Sequence, residues 1–376
     1  MRIYDRSNVD ELRFPSNENG EYAKKFLVPL LKNHVKTYIE NVNIDLKIFE
    51  VDGLVLPIVI ADENYDDSYV VSMYTHYITY LKEELRELKN PPLEKLLALV
   101  VDVLSVYFKK AKINKVVYVN NWFLSTNLYP NISKSQLTQM TEFLAKRYPD
   151  HAIAFRSINN YSCPLFYEHL LKIDYDLIVS RQVYFAEKMK HMKKRHRKNI
   201  NRDLRQMEKE GYEKQILVEE DIHKAERLLE LYNFLYIDKY SQYNPRFTTS
   251  FLLLGLEESL FKLISLEKQG KIDGFLGYFH RNGVMTTPLL GYDTNLNSAL
   301  YRMLTANLNL ESEENDLLLH RSSGAAQFKR ERGAISTTEY TAIYHKHLSF
   351  SRRLMWKVLQ NIYGKIGLWA IKKYNL

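Results

Sequence analysis

Two short turn signals constrain the second half of this chain more than any other feature. Gln269-Gly270 and Asn282-Gly283 each place a glycine where a two-residue hairpin requires a positive φ angle. The segments around them, 261–266, 273–279 and 284–291, are rich in apolar, β-branched and aromatic residues, which suit half-buried strands. The pattern therefore predicts three consecutive antiparallel strands.

The rest of the chain alternates between strand and helix patterns. In the first half, Asp52-Gly53 predicts a hairpin within residues 42–61. The further strands predicted there cover 69–80, 115–119, 152–157 and 177–185, and the helices cover 82–88, 93–112 and 135–147. In the second half, helices are predicted over 221–240, 297 to about 313 and 325–331, with strands over 317–321 and 339–344 and a final helix. The alternation predicts a mixed α/β fold, and 376 residues are enough for two domains.

The formal net charge of +8 is concentrated in two segments. Residues 188–205 carry nine basic side chains against Asp203 alone, and residues 340–376 carry seven with no acid. The remainder of the chain is therefore mildly acidic. In the first segment Met189, Met192, Ile200, Leu204 and Met207 recur at helical spacing, so we expect a helix with an apolar stripe beneath a cationic face.

Several broad classes of protein are excluded by composition. With 45% hydrophobic residues the chain is too apolar to be mainly disordered. The single cysteine, Cys163, cannot form an internal disulfide, and the first ten residues lack the pattern of a signal peptide. The longest apolar stretch, 93–108, is interrupted by charges and is shorter than a membrane span. We therefore expect a cytoplasmic protein.

Four segments carry a resemblance to a known superfamily. They are KKRHRKNINRDLRQ at 193–206, DKYSQYNPRFT at 238–248, GKIDGFLGYF with TTPLLGYD at 270–293, and SSGAAQFKRERGA with EYTAIYHKHLSFSRRLMW at 322–356. Together with the order of the elements, they resemble the GNAT acyltransferases, in particular the two-domain proteins related to the Fem peptidyltransferases. The resemblance implies tandem GNAT-like domains, mostly antiparallel, with the first domain degenerate. It places that first domain at 1–185, a basic connecting helix at 186–212 and a catalytic domain with a C-terminal helix at 213–376.

The activity implied by the resemblance is transfer of an acyl group from an activated carrier to an amine. The leading hypothesis is an N-acyltransferase that uses an acyl-CoA or an acyl carrier protein thioester and acylates a small molecule or peptide. One alternative is a Fem-like transferase that uses aminoacyl-tRNA, and another is a non-catalytic protein that binds anions. In each catalytic case the donor is a co-substrate, and no bound cofactor is expected.

Transfer to an amine requires a backbone N–H that polarises the carbonyl, a base and an acid. In this fold the N–H lies on the strand before the helix that starts near 297, here residues 287–291. Pro288 within it has no N–H and predicts a bulged or splayed strand. Asp293 and Glu339 are the candidate bases, and Tyr292 and Tyr340 are the candidate acids.

The candidate binding residues fall into two groups. The substrate-binding group contains Lys239, Tyr240, Arg321, Gly324, Gln327, Lys329, Arg330 and Arg332, because the family match falls on these positions and a cluster of cations suits a carboxylate or phosphate. The group expected to contact the donor or RNA contains Lys194, Arg195, Arg197, Lys198 and Arg202.

The loop expected to hold the donor departs from the family pattern. Users of acetyl-CoA carry glycines ahead of the helix, whose amides wrap the pyrophosphate. Here residues 292–298 contain none after Gly291 and include Asp293. The absence of these glycines favours a donor that is bound mainly by other parts of the protein, such as an acyl carrier protein or an aminoacyl-tRNA.

Two further features bear on partners. His345 and His347 lie two residues apart without a third ligand at metal spacing, so no metal site is predicted. The last helix carries Trp356 and Trp369 among apolar and basic residues, which favours packing and leaves peripheral contact with a membrane as an alternative.

Overall fold

The computed structural model describes residues 1–85, 91–296 and 299–367. Twelve strands form one sheet in these parts of the chain. The strands are β1 Arg2–Tyr4, β2 Asp45–Val51, β3 Leu54–Ala61, β4 Val116–Val119, β5 Ala152–Ile158, β6 Asp176–Ala186, β7 Glu213–Leu217, β8 Lys262–Lys268, β9 Lys271–Arg281, β10 Val284–Tyr292, β11 Leu318–His320 and β12 Ile335–Tyr344. The α-helices are α1 Glu18–Lys32, α2 Tyr80–Leu85, α3 Pro91–Lys110, α4 Lys134–Arg147, α5 Pro164–Lys172, α6 Lys194–Glu210, α7 Ala225–Asn233, α8 Thr249–Glu257, α9 Leu300–Glu314, α10 Ala326–Glu331 and α11 Phe350–Ile362.

The sheet has a near-symmetric strand order, β1-β2-β3-β4-β5-β12-β6-β11-β10-β9-β8-β7. Each half contributes four antiparallel strands and a fifth strand that runs parallel to the fourth. The parallel pairs are β4 with β5 in the first half and β10 with β11 in the second. The expected fold class, mixed α/β with a mostly antiparallel sheet, is confirmed, and the two halves have the same order of strands.

The two halves exchange their last strands. β6, which ends the first half, pairs with β11 of the second half, and β12, which ends the second half, pairs with β5 of the first. β6 and β12 also pair with each other, from Ile335 opposite Phe185 to Ile343 opposite Asp176. The sheet therefore runs through both halves without a break, and the division into domains at 185 and 213 stays a prediction.

Helices cover both faces of this sheet. One extensive core lies on one face, with Phe26 of α1, Phe108 of α3, Leu228 of α7 and Trp356 of α11 among its members. On the opposite face, α6 and α9 cover the second half, and α4 and α5 cover the first. The apolar stripe predicted for the basic segment is present, since Met192 and Ile200 are buried in the core beneath α6.

The local predictions had different outcomes. Both hairpins are confirmed, because Gln269, Gly270, Asn282 and Gly283 all have positive φ angles, between 49° and 75°. The strand predicted over 69–80 is wrong. That segment forms turns and a π-helical stretch at Thr75–Thr79, because side chains instead of a neighbouring strand accept its backbone N–H groups. Asn114 accepts the Tyr74 N–H at 2.8 Å, and Ser72 accepts the Thr75 N–H at 3.0 Å.

Candidate active site

The candidate site lies where β10 and β11 separate. The two strands pair only through Val284–Leu318, Met285–Leu319 and Thr286–His320. β11 then ends, whereas β10 continues to Tyr292 along β9. Among the described residues, no strand pairs with β10 beyond Thr286 on the β11 side, so its backbone from Thr287 onwards faces a gap in the sheet. This opening between β10 and the loop after β11 is called the gap below.

A bulge shapes the wall of the gap formed by β10. The β9–β10 register shifts between Thr286 and Leu289, around Pro288, as the missing proline N–H predicted. At the bulge the Thr287 hydroxyl is buried and has no hydrogen-bond partner among the described residues. Gly291 allows helix α7 to approach this strand closely, since a Cβ there would lie 2.5 Å from the Leu231 carbonyl carbon. This wall is therefore packed closely against α7 on one side and has polar groups on the side of the gap.

Arg321 is the first residue of the opposite wall. Thr286 and His320 are direct neighbours across the parallel pair, so Thr287 and Arg321 point to the other face of the sheet. Arg321 is 7% exposed, and in the part of the chain that the structure describes neither of its terminal guanidinium nitrogens has a hydrogen-bond partner. Burial lowers its pKa to about 10, which keeps it charged at neutral pH. Its electrostatic neighbours are the phenol of Tyr301, Arg332 and Asp203.

Lys329 fixes the loop that follows Arg321. Its buried ammonium donates to the carbonyl oxygens of Arg321 at 2.6 Å, Ser322 at 3.3 Å and Ser323 at 2.6 Å. Burial, with the charge of Arg321 nearby, lowers the pKa of Lys329 well below its usual value. These contacts use all three donors of the ammonium within the protein, so Lys329 holds the backbone of the loop in place.

Arg332 is likewise engaged within the protein. Its Nε donates to Oδ2 of Asp203 at 2.5 Å, and its guanidinium lies 3.6 Å from the ring centroid of Phe328. The other oxygen of Asp203 accepts from Arg302 of α9 at 2.7 Å. Asp203, the lone acid of the basic segment, is fully buried and therefore joins α6 to α9 and to the end of α10.

Glu339 lies in a second polar cluster, on the face that Thr286 and His320 share. Its carboxylate accepts from Arg181 Nε at 2.8 Å, and Nε2 of His320 lies 3.7 Å from its other oxygen. Burial would raise the pKa of Glu339, but Arg181 outweighs that effect and lowers it to about 2. Burial lowers the pKa of His320, whose Nδ1 accepts the Ser322 N–H at 3.0 Å. The neutral imidazole therefore carries its proton on Nε2, towards Glu339.

Asp293 lies at the end of β10, in an ion-pair network separate from that of Glu339. Its carboxylate is 3.4 Å from Arg227 of α7 and 3.9 Å from Lys271, and it accepts the Asn295 N–H at 3.1 Å. Burial opposes ionisation, but these donors lower the pKa of Asp293. The neighbouring Tyr292 is half-buried and 6.3 Å from the ring of Tyr301, and burial raises its pKa. Of the candidate bases and acids, only Tyr292 lies beside residues of the gap.

The other predicted residues are more exposed. Tyr340 is half-buried and packs at 6.0 Å against Tyr167 in the first half. Lys239 and Tyr240 are exposed at the end of a π-helical stretch, Phe234–Tyr240. Gly324 and Gln327 are exposed, and Arg330 is half-buried, 3.4 Å from the Tyr184 hydroxyl.

The cations predicted to contact a donor form an exposed surface on α6. Lys194, Arg195, Arg197, Lys198 and Arg202 are all exposed. No carboxylate of the described residues lies within 4.0 Å of their charged groups, whereas other lysines and arginines in those residues do form such pairs. The surface of these five residues, called the α6 basic surface below, is therefore open to an anionic partner.

The corresponding position in the first half is filled by the protein itself. β4 and β5 also pair over only three residues, Val116–Ala152 to Tyr118–Ala154. The chain after β4 is buried there, including Trp122 and Phe123. Arg156 of β5 donates to Asn121 Oδ1 at 3.2 Å and to the Leu124 carbonyl at 3.3 Å. The first half is thus closed at the position where the second half is open.

Comparisons with known proteins give likenesses of structure only. No protein-family model matches the sequence, and no curated protein matches it significantly. A conserved protein of unknown function from Bacteroides thetaiotaomicron is 12% identical with a TM-score of 0.51, over 92% of this chain and 100% of that one. The likeness is one of fold. FemX is 8% identical with a TM-score of 0.49, over 96% of this chain and 100% of that one. A probable N-acyltransferase from Enterococcus faecalis is 11% identical with a TM-score of 0.35, over 91% of this chain and 72% of that one.

The described residues contain neither a membrane-spanning helix nor a cluster of metal ligands. None of the helices there is long and apolar enough to cross a lipid bilayer. Likewise, no group of three or more histidine, cysteine or acidic side chains in the described ranges could hold a metal ion.

Sequence reasoning missed several residues of the site. The candidates predicted from the sequence do not include the side chains of Arg181, Thr287 and Tyr301. The signal available for Arg181 was a lone cation within the apolar strand at 176–186, a position that normally requires a buried partner. Thr287 and Tyr301 carried no such signal, because their roles depend on where β10 and β11 separate.

Proposed function

We propose that this protein is a GNAT-like N-acyltransferase that joins an acyl group from an activated carrier to an amine, with the reaction taking place in the gap. The observation that carries the proposal is the separation of β10 from β11. Among the described residues it leaves β10 from Thr287 onwards without a strand on the β11 side and the Thr287 hydroxyl without a hydrogen-bond partner. The resemblance to GNAT acyltransferases implies that donors to the carbonyl oxygen lie on this strand.

In the proposed reaction the amine nitrogen attacks the carbonyl carbon of the donor. A C–N bond forms, and the bond from that carbon to the sulfur or oxygen of the carrier breaks. The β10 backbone N–H groups and Thr287 would stabilise the negative charge that develops on the carbonyl oxygen. The ammonium proton must leave, and the carrier must regain one.

Tyr292 is the better placed of the two candidate acids. It ends β10 beside Tyr301, and burial raises the pKa of its phenol, so it retains a proton to donate at neutral pH. Of the candidate bases, Glu339 has a pKa of about 2 and donors on both oxygens, which makes it a weak acceptor of protons. We propose that Glu339 positions the strands beside the gap. Asp293 stays the other candidate base, although its hydrogen bonds with Asn295 and Arg227 lower its pKa as well.

The favoured carriers are an acyl-CoA or an acyl carrier protein thioester. The α6 basic surface supports a carrier with many negative charges, and this also favours a second candidate function, transfer from aminoacyl-tRNA. The two are separated by replacing Lys194, Arg195, Arg197 and Lys198 with alanine. Loss of charged-tRNA binding, with a shallower dependence of log K on log salt, supports the RNA donor. Product formation from an acyl thioester without tRNA excludes it.

A matched control exists for this variant. Lys24, Lys36, Lys110 and Lys146 are exposed and lie outside α6, so replacing them removes the same charge from other parts of the surface. The α6 variant should lose donor binding while the control keeps it. Equal losses in both would indicate an effect of net charge alone.

Activity in cells can be tested without knowing the substrate. Metabolites from strains with and without the protein should differ by a product heavier than its amine precursor by one acyl or aminoacyl unit. A third reading, a protein that binds anions without catalysis, predicts no such product. It also predicts that Asp293→Asn and Tyr340→Phe leave the phenotype intact while the α6 variant abolishes it.

The last described helix supports a further partner. α11 buries Met355, Trp356 and Leu359 but exposes Phe350, 72%, and Leu354, 47%. We propose that these two side chains contact a membrane peripherally. Sedimentation with anionic vesicles, lost in the double variant Phe350→Ser and Leu354→Ser, would support this contact. Trp369, which the sequence also suggested, lies outside the described residues.

A further inference from the structure

Arg321 differs from the other buried arginines in having no partner for its guanidinium ends. Four arginines are buried among the described residues: Arg156, Arg281, Arg321 and Arg332. Arg156 and Arg281 donate to carbonyl or amide oxygens, and Arg332 pairs with Asp203. For Arg321, both terminal nitrogens are buried and unpaired.

An unpaired buried guanidinium is unfavourable for folding. Removing a charge from water costs several kcal/mol unless a counter-charge or hydrogen bonds replace the water. The surroundings do not supply the counter-charge, because Asp203 is already bound by both Arg302 and Arg332. Lys329, which donates to the carbonyl of Arg321, supplies no negative charge either. A group retained at this cost is suited to a ligand that supplies the missing charge.

The geometry restricts what that ligand can be. The two free nitrogens form the edge of the guanidinium that binds two oxygens of one planar or tetrahedral anion. Thr287 begins the opposite wall of the gap and has its own unpartnered hydroxyl, while Lys329 holds the carbonyl of Arg321 itself in place. The backbone that carries Arg321 is therefore held in place before any ligand arrives.

We propose that Arg321 binds an oxyanion of the substrate, a carboxylate or a phosphate, within the gap. This proposal rests on the proposed function, because only acyl transfer makes the bound anion part of a substrate. It also divides the roles within the predicted cation cluster. Lys329 and Arg332 are positioning residues, and Arg321 makes the contact with the oxyanion. The first half supports this reading, because there the loop after β4 supplies the oxygens that Arg156 requires.

The proposal is tested by anion-dependent stability, which requires no transferase activity. The full chain is titrated with sodium phosphate and, separately, with sodium acetate at constant ionic strength, and its melting temperature is followed. We expect one or both anions to raise the melting temperature of the wild type. In Arg321→Gln the apparent affinity should fall by about tenfold or more, because a charge-assisted contact is lost. Stabilisation by phosphate alone indicates a phosphate group on the substrate, and stabilisation by acetate indicates a carboxylate.

Two controls separate ligand binding from structural effects. Arg321→Met should be as stable as the wild type or more stable without added anion, whereas Arg156→Met should be less stable, since it leaves Asn121 and Leu124 without their donor. The α6 variant should keep the anion response. The proposal is overturned if neither anion stabilises the wild type, if Arg321→Gln responds as the wild type does, or if Arg321→Met unfolds as readily as Arg156→Met. A failure of acyl transfer would leave these outcomes unchanged.

Discussion

Glu339 and Arg181 pair across the centre of the sheet, where the two halves of the chain exchange their last strands. They are direct neighbours in the β12–β6 ladder, and Arg181 Nε lies 2.8 Å from Oε1 of Glu339. Arg181 also donates to the Ser125 carbonyl at 2.7 Å. The register of β12 shifts immediately after Glu339 against β6. This ion pair therefore joins both halves beside His320, the residue at which β11 ends.

Breaking this pair from one side should destabilise the protein strongly. Glu339→Gln leaves Arg181, whose side chain is 18% exposed, without its counter-charge, and the expected loss is about 3–5 kcal/mol of unfolding free energy. Replacing both residues with methionine should cost less, since no unpaired charge remains. Denaturant unfolding of the three variants measures this difference. Equal losses in the single and double variants would contradict the ion-pair explanation.

The same pair predicts a loss of stability in acid. The folded pKa of Glu339 is about 2, below the value of about 4.3 for an unfolded glutamate. A depressed folded pKa contributes stability that is present above the unfolded pKa and lost as the pH falls towards the folded one. The contribution should therefore be complete at pH 5 and above and decline between about pH 4 and 2. Denaturation series at several pH values should show a smaller decline for Glu339→Gln than for the wild type.

Substitutions at two adjacent residues of α6 should have very different effects on the unfolding free energy. Asp203 is fully buried between Arg302 and Arg332, so Asp203→Asn should cost about 3–5 kcal/mol and loosen α6 from α9. Arg202, one position earlier, is exposed, and Arg202→Gln should change the unfolding free energy by less than about 0.5 kcal/mol. Hydrogen exchange along α6 together with thermal unfolding tests both. If Arg202→Gln proves the more damaging change, the structural account of α6 is incorrect.

Thr287→Val should lower activity without lowering stability. The Thr287 hydroxyl is buried without a partner, so an isosteric methyl group does not break a hydrogen bond within the protein. If the hydroxyl contacts the substrate, the transfer rate should fall by about tenfold. Thr305→Val provides the control, since the Thr305 hydroxyl donates to the Tyr301 carbonyl of its own helix at 2.9 Å. A rate for Thr287→Val equal to that of the control would remove Thr287 from the site.

Parts of the fold encoded by neighbouring residues could be predicted from the sequence. Gln269-Gly270 and Asn282-Gly283 specify their hairpins because the required positive φ angles are a local property. Pro288 specifies the bulge, because its missing N–H cannot be supplied by any neighbour. The segment 69–80 misled the prediction, since its tyrosine and valine content suits strands while side chains such as Asn114, distant in sequence, bind its backbone.

The site itself depends on contacts that the sequence does not reveal. Lys329 and Arg332 appeared equivalent to Arg321 as cations in one segment, but the first donates to the loop backbone and the second to Asp203. Which of the three remains without a partner is decided by the packing of α6 against α9 and α10. In the same way, the meeting of Arg181 with Glu339 follows from the exchange of β6 and β12, which no local pattern encodes.

The most direct test of the account is transfer catalysed by the purified chain. The protein is incubated with an amine-containing metabolite extract and, in parallel, with acyl-CoA, acyl carrier protein thioester or aminoacyl-tRNA labelled in the acyl group. We expect label in a stable amide product from at least one donor with the wild type and with Thr305→Val, and about tenfold less with Thr287→Val. No labelled amide from any donor, or equal yields from all three proteins, would contradict acyl transfer in the gap.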